Sequence, residues 1–434
     1  MTKERNEIMK LLKPGDSGLL VQYLSLALER AGFSAGGITD DFNLRVYNSL
    51  TAFQNSKSLK ADGVAGEQTW NALIPYIKGY TTVTAGGGQT VDSVAAEFST
   101  SPQAIETANP FITDNSLTPG ATVTVPYSFE LVPTDVDYSY FLVSLITEGL
   151  LARYPFIRSQ SAGKSIMNRN LDCIIIGNGS TEVFANASHH ANEWITTPVL
   201  LKYAEDCCIA IASNGTIDGT DANRLFSAKT LYILPLVNPD GVDLVTGAIN
   251  IDSEFYLSAR SIAAEYSFIP FPSGWKANIE GTDLNLNYPA GWQRAKQIKA
   301  EQGFVSPAPR DFVGTAPLSA VESRAVYNFT LAHDFALTLS YHTQGEVIYW
   351  KYLNYLPPRS EEIGIALSEA SGYSLDTTPY ASGFAGYKDW YISFFNRPGY
   401  TVEIGMGTNP LPISDFNSVY PPNKSLITTA VSLI

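Results

Sequence analysis

Cysteine is scarce: three residues in 434, two adjacent (Cys207, Cys208) and one alone (Cys173). That excludes a disulfide scaffold and leaves three small, apolar, buried side chains as the expectation. Charge is thin too, at 16% of residues, and unbalanced: 28 Lys and Arg face 42 Asp and Glu, for a net charge of −14. A chain this acidic is not built for nucleic acid or anionic membranes, both of which reward positive charge. No apolar run is long enough to span a bilayer, so membrane insertion is not expected. Residues 1–10 are charged, with no apolar stretch behind them, which is not the pattern of a secretory signal. Read as it stands, the chain starts in the cytoplasm.

What is plentiful is apolar and aromatic area. Hydrophobic residues make up 45%, with 24 Tyr and 21 Phe, enough for well-packed globular domains. Texture divides the chain into three: 1–79, 80–128 and 129–434. The first has nearly balanced charge, and the second has no Lys or Arg at all. In the first, Leu20, Tyr23, Leu24, Ala27 and Leu28 have helical spacing, with Ala31-Gly32 as a stop. Val46, Leu50 and Phe53 mark a second helix, and Trp70, Leu73 and Ile74 a third. Phe53-Gln54, Leu59, Asp62-Gly63, Gly66 and Thr69-Trp70 together resemble the helical peptidoglycan-binding domain. The second stretch reads as a strand at Val83, a Gly86-Gly87-Gly88 turn, a helix Val91 to Phe98, a helix from Pro102 capped by Ser101, and a strand Val123–Pro126. That βααβ order resembles a LysM module, which binds N-acetylglucosamine chains, although its turn reads Gly88-Gln89-Thr90-Val91. From about residue 135, apolar runs (Cys173–Ile176, Val183–Ala185, Thr230–Leu234, Ala336–Ser340, Tyr400–Ile404) alternate with helices such as Trp194 to Ala204 and Ala320 to His333. This predicts one large α/β domain with a mixed central sheet.

Only four histidines are present: His189, His190, His333 and His342. His190 and Glu193 follow a short strand and stand three apart, one helical turn, so both can grip one zinc ion. His189 has Asn192 at that offset, a poor zinc ligand. A catalytic zinc needs a third protein ligand, and His342 ends an apolar strand, a usual place for a site residue. His333 reads instead as a lightly packed residue of the helix Val326 to Phe335. Glu403 stands in an apolar strand, where a carboxylate is costly unless paired or functional.

In order along residues 135–434 come His190 and Glu193 before Trp194, Asn238-Pro239-Asp240-Gly241, Gly281 to Pro289, Ser340-Tyr341-His342, Asp389-Trp390 and Glu403. This series resembles the zinc carboxypeptidase family. The resemblance implies one zinc held by His190, Glu193 and His342, with Glu403 as general base and acid. It also implies that Asn285 and Tyr380 bind substrate. Two departures stand out. Leu286 occupies the place of the Arg that clamps a terminal carboxylate, and Leu cannot make a bidentate clamp. The segment 275–280 lacks the Arg that polarises the carbonyl, and Lys276 is its only cation. Lys388, beside Asp389-Trp390 where the family places its specificity pocket, is a candidate partner for an acidic side group. With the two N-terminal segments, the whole resembles bacterial γ-D-glutamyl-L-diamino acid endopeptidases, which cut the stem peptides of peptidoglycan. That makes peptidoglycan the expected partner, with the chain at the cell wall or in the cytoplasm or a spore compartment. The alternatives are a broad metallocarboxypeptidase and an inactive wall-binding protein.

Overall fold

The computed structural model describes residues 11–434. The reading of the charged opening segment therefore lies outside the described residues. The chain divides into two compact units: the described residues up to Asp137 with Phe141–Phe156, and Tyr138–Tyr140 with Ile157–Ile434.

The first unit begins with helices Leu19–Arg30, Leu44–Ser56 and Glu67–Lys78. Asn43 caps the second by accepting from the amides of Arg45 and Val46. Buried Gln54 explains the motif around it. Its amide donates to Val64 O (3.0 Å) and Thr69 Oγ1 (3.2 Å) and accepts from Gly63 N (3.0 Å). Gly63 has φ 67°, and a Cβ there would lie 2.0 Å from the Tyr47 ring, so the tight turn needs glycine. Strands β1 (Tyr80–Thr84) and β2 (Thr122–Pro126) then pair antiparallel around helices Val91–Glu97 and Pro102–Ala108. The core of this βααβ segment is Val91, Val94, Ile105, Leu117, Val123 and Val125. Buried Asn109 donates to Ile105 O and Thr124 O, tying helix to strand.

The second unit is built on eight strands: β3 (Arg158–Lys164), β4 (Asn170–Gly177), β5 (Thr181–Ala187), β8 (Lys229–Leu234), β9 (Phe335–His342), β10 (Val347–Tyr349), β11 (Ser374–Asp376) and β12 (Gly399–Glu403); β6 (Thr216–Ile217) and β7 (Thr220–Asp221) form a separate small ribbon. The sheet order is β11-β10-β12-β9-β5-β8-β4-β3. The run β12, β9, β5, β8 is parallel; β10 and β4 pair antiparallel to its two ends, and β3 pairs antiparallel to β4. The sheet is mixed, as expected. Its central strands are buried along most of their length, with apolar residues interrupted by a few buried polar ones such as Asn186, Thr338 and Ser340. Cys173, Cys207 and Cys208 are free thiols and fully buried.

Two helices differ from their expected bounds. The helix expected to start at Trp194 runs Thr196–Ala212, after a single 3₁₀ turn Ala191–Glu193. His190 precedes that turn in extended conformation. The helix expected to include His333 is Val321–Leu331, and His333 lies beyond its end, with Nδ1 2.7 Å from Phe329 O and its ring on Phe335. Among the described residues no helix is long and apolar enough to cross a membrane.

Candidate metal centre and active site

Three neighbouring parallel strands, β5, β9 and β12, end at the same edge, where ligand sites of α/β sheets form. Strand β9 delivers His342 and β12 delivers Glu403, directly opposite each other in register. Beyond β5 the chain turns sharply at Ser188 (φ 54°), whose hydroxyl is held by Thr196 (2.9 Å) and Thr197 (2.8 Å). Asn238 locks this corner: its Nδ2 donates to His189 O (3.2 Å) and Ala277 O (3.0 Å). The helix Pro239–Val245 that it caps is anchored by Arg169, within 3.5 Å of Asp240 and 2.9 Å of Asp243. The Asn238–Gly241 motif is thus scaffolding that sets the backbone under the site.

His190, Glu193 and His342, all buried, offer donor atoms within 4.8 Å of one another. His190 Nδ1 lies 3.0 Å from Glu193 Oε1 and 3.1 Å from His342 Nδ1, and His342 Nδ1 lies 2.9 Å from Glu193 Oε2. Two imidazole nitrogens and a carboxylate facing one point are the donor set of a catalytic zinc. The remaining ring nitrogen of His190 is held by Asp283 Oδ1 (3.1 Å), the outer contact that orients a zinc-ligating histidine. The triad therefore fits the metal, although His190 and Glu193 share a 3₁₀ turn rather than an α-helical one.

Electrostatics fits as well. Burial disfavours the Glu193 carboxylate, but His190 and Lys276 outweigh it and keep it well below the usual range. Burial keeps His342 neutral. Burial also opposes charge on His190, yet Glu193 and Asp283 raise its pKa to about 9, so a bound cation displaces a proton there. Glu403 is pushed up to about 8 by burial and by repulsion from Glu193. It stands at the end of β12 rather than mid-strand, is partly exposed, and lies opposite His342 in register.

The other expected residues separate. Lys276 reaches the centre: its Nζ lies 3.1 Å from Glu193 Oε1, and it feels the charge of Glu403. Asn285 places Nδ2 3.4 Å from His342 Nε2 and accepts from Tyr387 N at 2.9 Å. Tyr380 is 60% exposed, accepts from Arg294 Nε (3.0 Å), and lines a cavity of about 350 Å³ with Lys351, Thr378, Phe384 and Asp389. Lys388 is different. It is 4% exposed, and its ammonium is engaged by Asp389 Oδ1 (2.7 Å) and Lys351 O (2.8 Å). Asp389, not Lys388, lines the cavity, so the expected pairing of Lys388 with an acidic substrate group is corrected: an adjacent carboxylate already neutralises it. Leu286 is packed in the core with Leu284, Tyr288, Trp292 and Tyr352.

Three contributors were not singled out from sequence. Asp283 was read only as part of a motif, although an Asp two residues before Asn285 was its visible signal. Asn409 Nδ2 lies 3.5 Å from Glu193 Oε1 and donates to Thr343 O at 3.0 Å. Arg310, whose positive charge is reinforced by Asp311, Asp283 and Glu193, comes from a loop with no periodicity to announce it.

Comparison with known proteins follows the same lines. The family model described as "Zinc carboxypeptidase" matches residues 145–431, and "Putative peptidoglycan binding domain" matches residues 17–73. The chain is 40% identical over 293 residues to Gamma-D-glutamyl-L-diamino acid endopeptidase 1 of Lysinibacillus sphaericus, covering 68% of this chain and 72% of that protein. It is 23% identical over 225 residues to human mast cell carboxypeptidase A, covering 50% of this chain and 48% of the other. Among solved structures, bovine thrombin-activatable fibrinolysis inhibitor superposes with TM-score 0.52 at 19% identity, over 69% of this chain and 98% of that one, a likeness of fold.

Proposed function

The chain belongs to the zinc carboxypeptidase family, and on that premise we propose that it hydrolyses the bond between γ-D-glutamate and the diamino acid, diaminopimelate or lysine, in peptidoglycan stem peptides. It is a zinc metallopeptidase. His190, Glu193 and His342 hold the metal, which when bound supplies Lewis acidity for water activation and carbonyl polarisation. Glu403 removes a proton from the attacking water and returns it to the leaving amine. Lys276 is the cation nearest the developing oxyanion, in the place of the family's Arg. Asp283 keeps His190 in one orientation.

The observation that carries the choice of bond is Leu286. Where a carboxypeptidase clamps the substrate's terminal carboxylate with Arg, this chain turns an apolar side chain into its core. A substrate that continues past the cut needs no such clamp. Residues 1–79 and 80–128 serve as wall-binding modules in this reading. The match at 17–73 supports the first, and the βααβ order supports a LysM assignment for the second. Tethering then raises the enzyme's local concentration on the wall without changing its chemistry.

Mass spectrometry of purified muropeptides incubated with the full chain tests this. Release of the diamino acid fragment, abolished by chelator, is expected. Stepwise loss of C-terminal residues alone contradicts it.

A further inference from the structure

We propose that Arg310 recognises a carboxylate on the acyl side of the scissile bond, the free α-carboxylate that a γ-linked D-glutamyl residue carries. This rests on the bond assigned above and deepens it. In a γ-glutamyl link the side-chain carboxyl forms the amide, so the α-carboxylate remains charged close to the bond that breaks. An ordinary α-linked peptide has no charge at that place. A site for the γ-linked substrate therefore gains from a cation on its acyl flank.

The loop carrying Arg310 is fastened to the metal-site residues on both sides of it. Pro309 O accepts from Lys276 N (2.7 Å) and Ala277 N (2.9 Å). Asp311 N donates to Asp283 Oδ2 (3.2 Å), the carboxylate whose other oxygen holds His190. Phe312 O accepts from Asp283 N at 2.8 Å. Pro309 and Asp311 are buried, whereas the Arg310 side chain is 44% exposed.

Its charge is available. Arg310 Nε donates to Asp311 Oδ2 (2.5 Å), but Lys299 Nζ sits on Asp311 Oδ1 (2.5 Å), so two cations share one carboxylate. Nη1 and Nη2 donate no hydrogen bond within the described residues, which leaves the guanidinium fork open for a planar carboxylate.

The flank is set by connectivity. Arg310 joins the His190, Asp283 and Lys276 side of the centre. Asn285 stands on the His342 side and is bonded to Tyr387, at the start of the helix Tyr387–Phe395 that carries Asp389 to the cavity. Under this proposal the cavity takes the group after the cut and Arg310 the group before it.

The test is kcat/KM of the full chain on two tripeptides, L-Ala-γ-D-Glu-diaminopimelate and its analogue with the D-Glu α-carboxylate amidated. Wild type is expected to favour the acid by about 10- to 100-fold, the worth of a charge-assisted pair. In R310Q the ratio should fall toward one, and R310K, which keeps charge but not the fork, should lie between. Zinc content of each variant checks that the centre is intact. A wild type indifferent to amidation, or an R310Q that keeps the full ratio, overturns the assignment. A wild type that cuts neither tripeptide but removes C-terminal residues from ordinary peptides overturns the bond assignment itself, and Arg310's role with it.

Discussion

Two clusters of buried charge lie near each other in the catalytic unit and are built on opposite principles. Lys388 and Asp389 form a closed pair, each 4% exposed in its side chain, with the ammonium also bonded to a main-chain carbonyl. Around Glu193, by contrast, two imidazoles, Lys276 and a second carboxylate, Glu403, crowd one point, and Glu403 is pushed toward its neutral form. The first cluster satisfies itself. The second has three donor groups aimed at a common centre where a metal ion could be held. Burial alone does not mark function; convergence of several potential metal-donor atoms on one point does.

The largest effect that separates the two clusters is expected at Glu403. Glu403→Gln should retain zinc and fold yet lose about 10³- to 10⁴-fold in kcat, since one carboxylate both takes and returns the proton. A variant within tenfold of wild type, by steady-state kinetics, breaks the comparison. Lys388→Met should do the reverse. It leaves Asp389 buried without its partner, a loss of about 3–5 kcal/mol by denaturant unfolding, and the double variant with Asp389→Asn should recover most of it. A Lys388→Met protein as stable as wild type would mean the pair is not closed.

Asp283→Asn keeps the hydrogen-bond geometry but removes the charge behind His190. A loss of about 10- to 100-fold in zinc affinity is expected, read by competition with a chelator. The smallest expected effect is on pH. Glu403 must be ionised to act as base, so activity rises with pH through its pKa. Burial and Glu193 raise that pKa, so the acid limb of kcat/KM should lie above the ordinary glutamate value of about 4.3. A limb at or below that value would show that the site holds the carboxylate in its charged form.

The sequence made the strand ends legible and the loops much less so. His342 was placed at the end of an apolar strand from its pattern, whereas Glu403 was expected within a strand and stands at its end, opposite His342 in register. Gln54 and Gly63 were likewise visible, because a fixed turn chemistry ties them. His190 and Glu193 do come together, but on another local structure than expected: the turn at Ser188, propped by Thr196 and Thr197, delays the helix to Thr196. Lys388 misled because adjacency in sequence does not reveal that its ammonium folds back on Asp389. Arg310 and Asn409 reach the site through long irregular segments, where no period of 2 or 3.6 residues exists to place a side chain.

The central claim is that His190, Glu193 and His342 hold one catalytic zinc and Glu403 works beside it. Metal analysis of purified wild type, His342→Ala and Glu403→Gln tests it most directly when paired with turnover of a stem peptide. One zinc per chain is predicted in wild type and in Glu403→Gln, with turnover only in wild type, and loss of zinc and turnover together in His342→Ala. Stoichiometric zinc retained in His342→Ala would contradict the account.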